Sequence, residues 1–441
     1  MRRLWLSCLL VACGDTPTGD PDAASPVDDA DLPPVSLRYP SGTVASPVTV
    51  GVADAMRAIA ARGDGHDDVF IKVGASGTVS RNLLFCFAGA VQPQYRLELD
   101  GRDALMPAID FFRGGDIAGA TPFDRVTLAA EVGRTARWVV TGSPSPLVQE
   151  LDAAMPRFAF VNYGTNDMGS GATYATSLGL FWSSMNEVLD ILDERGVVTI
   201  ITGLNPRGDT AEAERWAPTF DAVTRAFAEA RQLPYVSLYV ASSPLANQGL
   251  LSDGIHGNAY SNGGAQPCVF DAAGLAFNYN VRNLASMEML AKVHDVVIDD
   301  AAAPDVSPVP LLAGAGTEAS PFEIDALPFT HTFDTTNGER ARASYPECGT
   351  QDESGPEVVY RLAMTSQRPV RVIALDREGV DVDVHVLVDG TCVERGDRVV
   401  DRTIGAGEMR IVVDTFAGSS GARPGSYTLV VQPCEDGDPS C

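Results

Sequence analysis

Between about Ser46 and Val297 short apolar runs alternate with stretches of helical period, and this alternation constrains the fold more than any other feature of the chain. Asp68 to Val73, Arg157 to Tyr163, Val197 to Thr202 and Tyr235 to Val240 are dense in Val, Ile, Phe and Tyr, the pattern of strands covered on both faces. Ser183 to Arg195, Ala211 to Gln232 and Asp271 to His294 carry helical spacing between or after them. The pattern predicts an α/β fold with a parallel sheet between layers of helices. In such sheets ligands sit beyond the carboxyl ends of the strands, so polar residues that follow a strand gather at one edge.

After Ala301 the pattern changes. Residues 301–315 read as a linker, with Pro304, Pro308 and Pro310 close together. Over 316–441 there is little helical period. Val358 to Leu362, Val370 to Leu375, Val380 to Val388, Met409 to Val413 and Ser426 to Val431 are short strands between Gly, Pro and Asp turns, which predicts an all-β sandwich.

Residues 1–12 have the layout of an export signal: Arg2 and Arg3, then an apolar stretch from Leu4 to Ala12. Leu10-Val11-Ala12-Cys13 resembles a bacterial lipobox, which implies a lipid on Cys13 and a place in the bacterial cell envelope, membrane-anchored and facing the periplasm or the cell surface. Residues 13–37 hold six Asp, five Pro and no Lys or Arg, the composition of a self-repelling tether. The whole chain carries 32 basic and 58 acidic residues, a net charge of −26, which excludes nucleic acid as the expected partner.

Beyond the signal stand Cys86, Cys268, Cys348, Cys392, Cys434 and Cys441, an even set in an exported chain. Sequence leaves their pairing open. The pairing expected here keeps within each half and takes Cys86 with Cys268, Cys348 with Cys392 and Cys434 with Cys441. No Cys-x-x-Cys spacing suggests a metal site.

Three segments following strands carry chemistry. Gly74-Ala75-Ser76-Gly77-Thr78 would place a hydroxyl beside a helix N-terminus, a seat for a nucleophile and equally a common helix cap. Gly164-Thr165-Asn166-Asp167 offers an amide donor, or an Asx turn. Asp253-Gly254-Ile255-His256 sets a carboxylate three residues before an imidazole, where it can bind Nδ1 and leave Nε2 as a base. Of the other histidines, His66 and His294 adjoin acids on segments that read as exposed, and His331 and His385 lie in the β half.

Taken in order, these residues resemble the SGNH hydrolases, the GDSL-type esterases and lipases. Gly164-Thr165-Asn166-Asp167 and Asp253-Gly254-Ile255-His256 match the family's third and last motifs. Ala75 replaces the Asp of the first, Gly-Asp-Ser, while Ser76 is retained. The resemblance implies a flavodoxin-like, three-layer hydrolase domain over 38–300, with Ser76 as nucleophile, His256 as base and Asp253 as its orienting acid. It also implies an oxyanion hole from the N–H groups of Ser76 and Gly133 and the amide of Asn166. Gly114, Gly115, Gly119 and Gly142 fall in the same interval as Gly133, whose small polar followers fit the family's loop best. No metal and no organic cofactor is needed.

The expected activity is therefore hydrolysis of O-acyl esters, as a carbohydrate deacetylase or short-chain esterase acting on an acylated small molecule or polysaccharide. The alternatives are a lipase or thioesterase of the same family, and a surface-binding lipoprotein that has lost activity. In the β half, Gly316 to Phe322, Val380 to His385 and Gly425 to Leu429 resemble the bacterial pre-peptidase C-terminal domain, which accompanies exported enzymes. Asp376, Asp381 and Asp383 there offer calcium-type oxygens, though alternating Asp on a strand more often lines one wet face.

Overall fold

A computed structural model describes residues 38–89, 96–307, 309–366, 368–404, 407–419, 421–434, 438 and 441. The export signal, Cys13 and the tether up to residue 37 lie outside the described residues. The described residues belong to one compact unit.

Four strands form the parallel sheet in the order β1 (His66–Gly74), β2 (Pro156–Asn162), β3 (Val198–Thr202) and β4 (Tyr235–Val236). Every residue from Val69 to Gly74 and from Val198 to Thr202 is buried, as strands covered on both faces require. Phe70 meets Phe112, Phe123 and Phe160 edge-on at ring separations of 5.2–5.6 Å, packing one face of the sheet. On the free side of β1, where flavodoxin-like order places a further strand, a single parallel bridge joins Gly74 to Ala130.

The long helices are α1 (Val50–Ala60), α2 (Tyr174–Glu194), α3 (Ala211–Arg231) and α4 (Asn278–Val297). α1 packs on α4 and α2 on α3. Helix α2 begins nine residues before the helical spacing becomes legible, at a Thr173/Thr176 capping box. The run Tyr235 to Val240, expected to be a strand, pairs through only two residues. Ser237 then accepts a hydrogen bond from the Val240 N–H and starts the helix Leu238–Ser242. His294, read as exposed, is buried against Phe111.

The β half is a sandwich of two sheets. One has the order β11 (Val399–Ile404), β8 (Arg368–Asp376), β13 (Ser426–Pro433), β6 (Phe329–Asp334). The other has β10 (Thr391–Gly396), β9 (Val382–Val388), β12 (Gly407–Thr415), β7 (Val358–Met364), β5 (Phe322–Ile324). Val384, Val386, Ile411 and Val413 point inward to Val370, Val372 and Leu429. The wet face expected for the alternating Asp is not found. Asp383 and His385 point outward from β9 yet are buried, covered by residues 338–357, which the Cys348–Cys392 disulfide fastens to β10. Nor do the three Asp carboxylates converge on a cation: Asp376, Asp381 and Asp383 pair with Arg398, Arg423 and Arg395 respectively.

All three disulfides join the pairs expected within each half. The two halves share a packed seam. Ile373, Leu375 and Val430 of the sandwich belong to the α/β core, the Trp182 Nε1–H donates to the Asp376 carbonyl at 2.6 Å, and the buried Arg371 lies 3.5 Å over the Trp216 ring. The connecting segment is docked as well, since Asp305 accepts from the Val48 N–H and the Lys292 ammonium.

Candidate active site

The nucleophile turn follows directly from β1. Gly74 ends the strand so close to Thr78 and β2 that a Cβ there would stand 2.2 Å from Thr78 Oγ1 and 2.7 Å from the Asn162 carbonyl, so only glycine fits. Ala75 is the N-cap of the short helix Ser76–Val79 and makes no side-chain cap bond. With Ala at position 75 the turn carries no capping carboxylate, and the Ser76 residue still lines the cleft. The N–H of Ser76 opens this helical turn, where backbone donors have no intrahelical acceptor.

Ser76, His256 and Asp253 lie in one hydrogen-bonded chain. Ser76 Oγ is 2.9 Å from His256 Nε2, and His256 Nδ1 is 2.8 Å from Asp253 Oδ2, although serine and histidine are 180 positions apart. Asp253 is held independently of the imidazole, because its Oδ1 accepts from the Ile255 and His256 N–H groups at 2.9 and 3.0 Å. Those two backbone bonds, and then the imidazole, draw the Asp253 carboxyl down to about 2. Gly254, at φ 68°, packs with its Cα side against Gly208, and a Cβ would stand 2.5 Å from the Asp209 nitrogen. The tight loop therefore needs glycine between the acid and the base.

Asn166 and Thr165 line the same cleft, with one Asn166 amide N–H donated to the Arg134 carbonyl at 2.9 Å. An amide nitrogen carries two donors, so the second is left for the cleft. Gly133 has φ 79° and is exposed; its neighbour Arg134 is the residue of that loop that reaches the lining. Asp167 has a role the sequence did not disclose. Buried, it accepts from the Gly164 N–H at 2.9 Å and the Ala136 N–H at 2.8 Å, tying the Asn166 turn to the Gly133 loop. Burial outweighs these bonds and pushes its carboxyl up to about 6.

Arg282 was also missed. It lies on α4, 2% exposed, donating to the Gly77 carbonyl at 3.4 Å and to Asn162 Oδ1 at 3.1 Å. Asn162 in turn donates to the Thr202 and Gly203 carbonyls, so the guanidinium braces the nucleophile turn against the ends of β2 and β3. Burial lowers the affinity of Arg282 for its proton. The only sequence signal was the run Asn278-Tyr279-Asn280, Arg282-Asn283, too polar for a helix that is buried on nearly every side.

The cleft has an open volume of about 440 Å³, and its walls are mostly small or polar, as at Ala75, Gly77, Gly164, Asn162 and Asn205, with Ile255, Tyr163 and Tyr279 as larger residues.

No protein-family model matches the sequence, and no curated protein does. Among solved structures, the chain is similar to a GDSL-like lipase from Bacteroides thetaiotaomicron, at 13% identity over 55% of this chain and 98% of that one, with a TM-score of 0.32. It is also similar to a two-domain esterase active on acetylated mannans, at 13% identity over 88% of this chain and 96% of that one, with a TM-score of 0.29. A third is a catalytic mutant of an acetylxylan esterase from Geobacillus stearothermophilus, at 12% identity over 52% of this chain and 95% of that one, with a TM-score of 0.31.

Proposed function

We propose that this chain is a serine ester hydrolase that removes acetyl and other short O-acyl groups from carbohydrate or small-molecule acceptors. The observation that carries the reading is the continuous chain from Ser76 Oγ through His256 to Asp253, with bonds of 2.9 and 2.8 Å at the carboxyl edge of the sheet. Ser76 Oγ attacks the ester carbonyl carbon while His256 Nε2 takes its proton, and Asp253 fixes the tautomer and supports the imidazolium. The N–H of Ser76 and the second amide N–H of Asn166 meet the developing oxyanion. The imidazolium returns its proton to the leaving alkoxide, and water, activated by the same imidazole, releases the acyl group.

The mostly small or polar lining favours a short acyl group over the long chain of a lipase substrate. The intact proton path favours an enzyme over a decayed binding protein. We further assign Cys13 as the lipidated residue that holds the protein in a bacterial envelope, with residues 13–37 as its tether; Cys13→Ser should then move the protein from the membrane fraction to the soluble one.

The test is p-nitrophenyl ester turnover by wild type, Ser76→Ala and His256→Ala, across a series of acyl lengths. Turnover by wild type alone, falling as the acyl chain lengthens, supports the reading. Equal rates in all three proteins overturn it.

A further inference from the structure

We propose that Glu353, His385 and Asp414 form a binding site for a divalent transition-metal ion of the zinc class, set in the β half and separate from the Ser76 cleft. One ligand atom from each residue lies within 4.8 Å of the others, and the three residues are 1%, 0% and 0% exposed. They come from three places: the segment 338–357 over the outer sheet face, strand β9 and strand β12.

Two unpartnered atoms point to a missing ligand. His385 Nε2 and Glu353 Oε2 are buried without a hydrogen bond. Nε2 stands 3.6 Å from Glu353 Oε1, too far for a good hydrogen bond but close to the roughly 3.3–3.6 Å that separates two ligands on a tetrahedral ion with bonds of about 2.0–2.2 Å. In the tautomer that carries its hydrogen on Nδ1, the Nε2 lone pair faces the carboxylate, a contact that a cation between them would make favourable. The surroundings also fit the outer support of a metal site. The Tyr345 hydroxyl donates to Asp414 Oδ2 at 2.7 Å, and its ring stacks on the His385 imidazole at 3.8 Å.

Charge argues the same way. Glu353, Glu357, Asp383 and Asp414 are all buried here, while Arg395 is paired with both Asp383 and Glu353. Arg342 lies over the Tyr345 ring, 5.8 Å from its centroid. A dication there would be met by carboxyl oxygens already gathered from the covering segment and β12. The imidazole nitrogen among the ligands selects zinc-like ions over calcium or magnesium, which take oxygen. Bound there, the ion would join residues 338–357 to β9 and β12 beside the Cys348–Cys392 disulfide, as a second staple.

The experiment uses the full chain, stripped with a chelator and titrated with zinc sulfate or calcium chloride by calorimetry, with metal content measured after dialysis. The expected result is one zinc per chain and a higher Tm. Affinity should fall at least about tenfold in Glu353→Gln and His385→Gln and stay unchanged in Ser76→Ala and in His294→Gln, which alters the separate group of the buried His294 with the exposed Asp295 and Asp299. Near-UV circular dichroism reports whether each variant is folded. Independently of any variant, zinc should slow amide exchange in residues 338–357 of wild type. Wild type that retains no zinc, folded variants that bind it like wild type, tighter binding of calcium, or unchanged exchange would overturn the assignment.

Discussion

Each half of the molecule sets a histidine against a carboxylate, and the two pairs differ in what the second ring nitrogen meets. His256 lies at the rim of the α/β half, its side chain 42% exposed, with Asp253 on Nδ1 and Ser76 on Nε2. His385 lies inside the β half, fully buried, with Nδ1 4.0 Å from the Cys392 sulfur and Nε2 3.6 Å from Glu353. The first arrangement has an open side for substrate and a proton path from hydroxyl to base. The second has neither; it has a concentration of buried carboxyl groups instead. A histidine beside an acid becomes a base only when its other nitrogen faces a nucleophile in a cleft.

Substitutions at the two histidines should separate the halves most sharply. Ser76→Ala or His256→Ala should lower ester turnover by about 10³-fold or more, because members of such a unit act together. His385→Gln should leave turnover within about twofold of wild type, measured on the same ester. Asp253→Asn should lower kcat by about 10²–10⁴-fold, since the amide no longer fixes the tautomer. Because the Asp253 carboxyl stays ionised down to about pH 2, the acid limb of the wild-type rate profile should not reflect its titration.

Asp167→Asn is a milder change within the α/β half. It keeps the shape but sets an NH₂ where two backbone donors converge, and should cost about 1–3 kcal/mol by denaturant unfolding, with a loss in kcat as the Asn166 turn loosens.

Lys72 gives a pH-dependent effect. It is buried in β1, donates to the Phe123 carbonyl, and burial draws its ammonium down to about 7 against the partial support of Asp124 and Glu150. Between about pH 7 and the ordinary lysine range near 10.4 the unfolded chain binds the extra proton, so stability contributed by this site rises with pH across that window. The Tm difference between Lys72→Met and wild type should therefore move in favour of wild type from pH 7 to 10. Smallest of all, Arg137→Ala at the exposed pair with Glu187 should change stability by no more than about 1 kcal/mol in a denaturant melt.

Much of this contrast was legible in the sequence because it rested on local pattern. β1, β2 and β3 announced themselves as apolar runs, and Asp253 and His256 are three residues apart, so a loop alone joins them. The short β4 was overread because Tyr235 to Val240 has the apolar density of a strand, while the Ser237 hydroxyl that converts it to a helix start is a single polar atom. Strands β5, β6, β10 and β11 were not anticipated, since residues such as Thr391 to Gly396 hold little apolar content and pair only because β9 offers them an edge. Arg282 and Asp167 act through contacts with Gly77 and Ala136, which lie 205 and 31 positions away. Burial of Asp383 and His385 depended on residues 338–357 crossing the sheet, which strand alternation does not encode.

The most direct test is covalent. A fluorophosphonate probe, which phosphonylates an activated serine, should label wild type at one site, and peptide mass spectrometry should place the adduct on Ser76. His256→Ala should abolish labelling, whereas His385→Gln should be labelled at the wild-type rate. Labelling at another serine, or equal labelling of His256→Ala, would contradict the assignment of Ser76 and His256 as nucleophile and base.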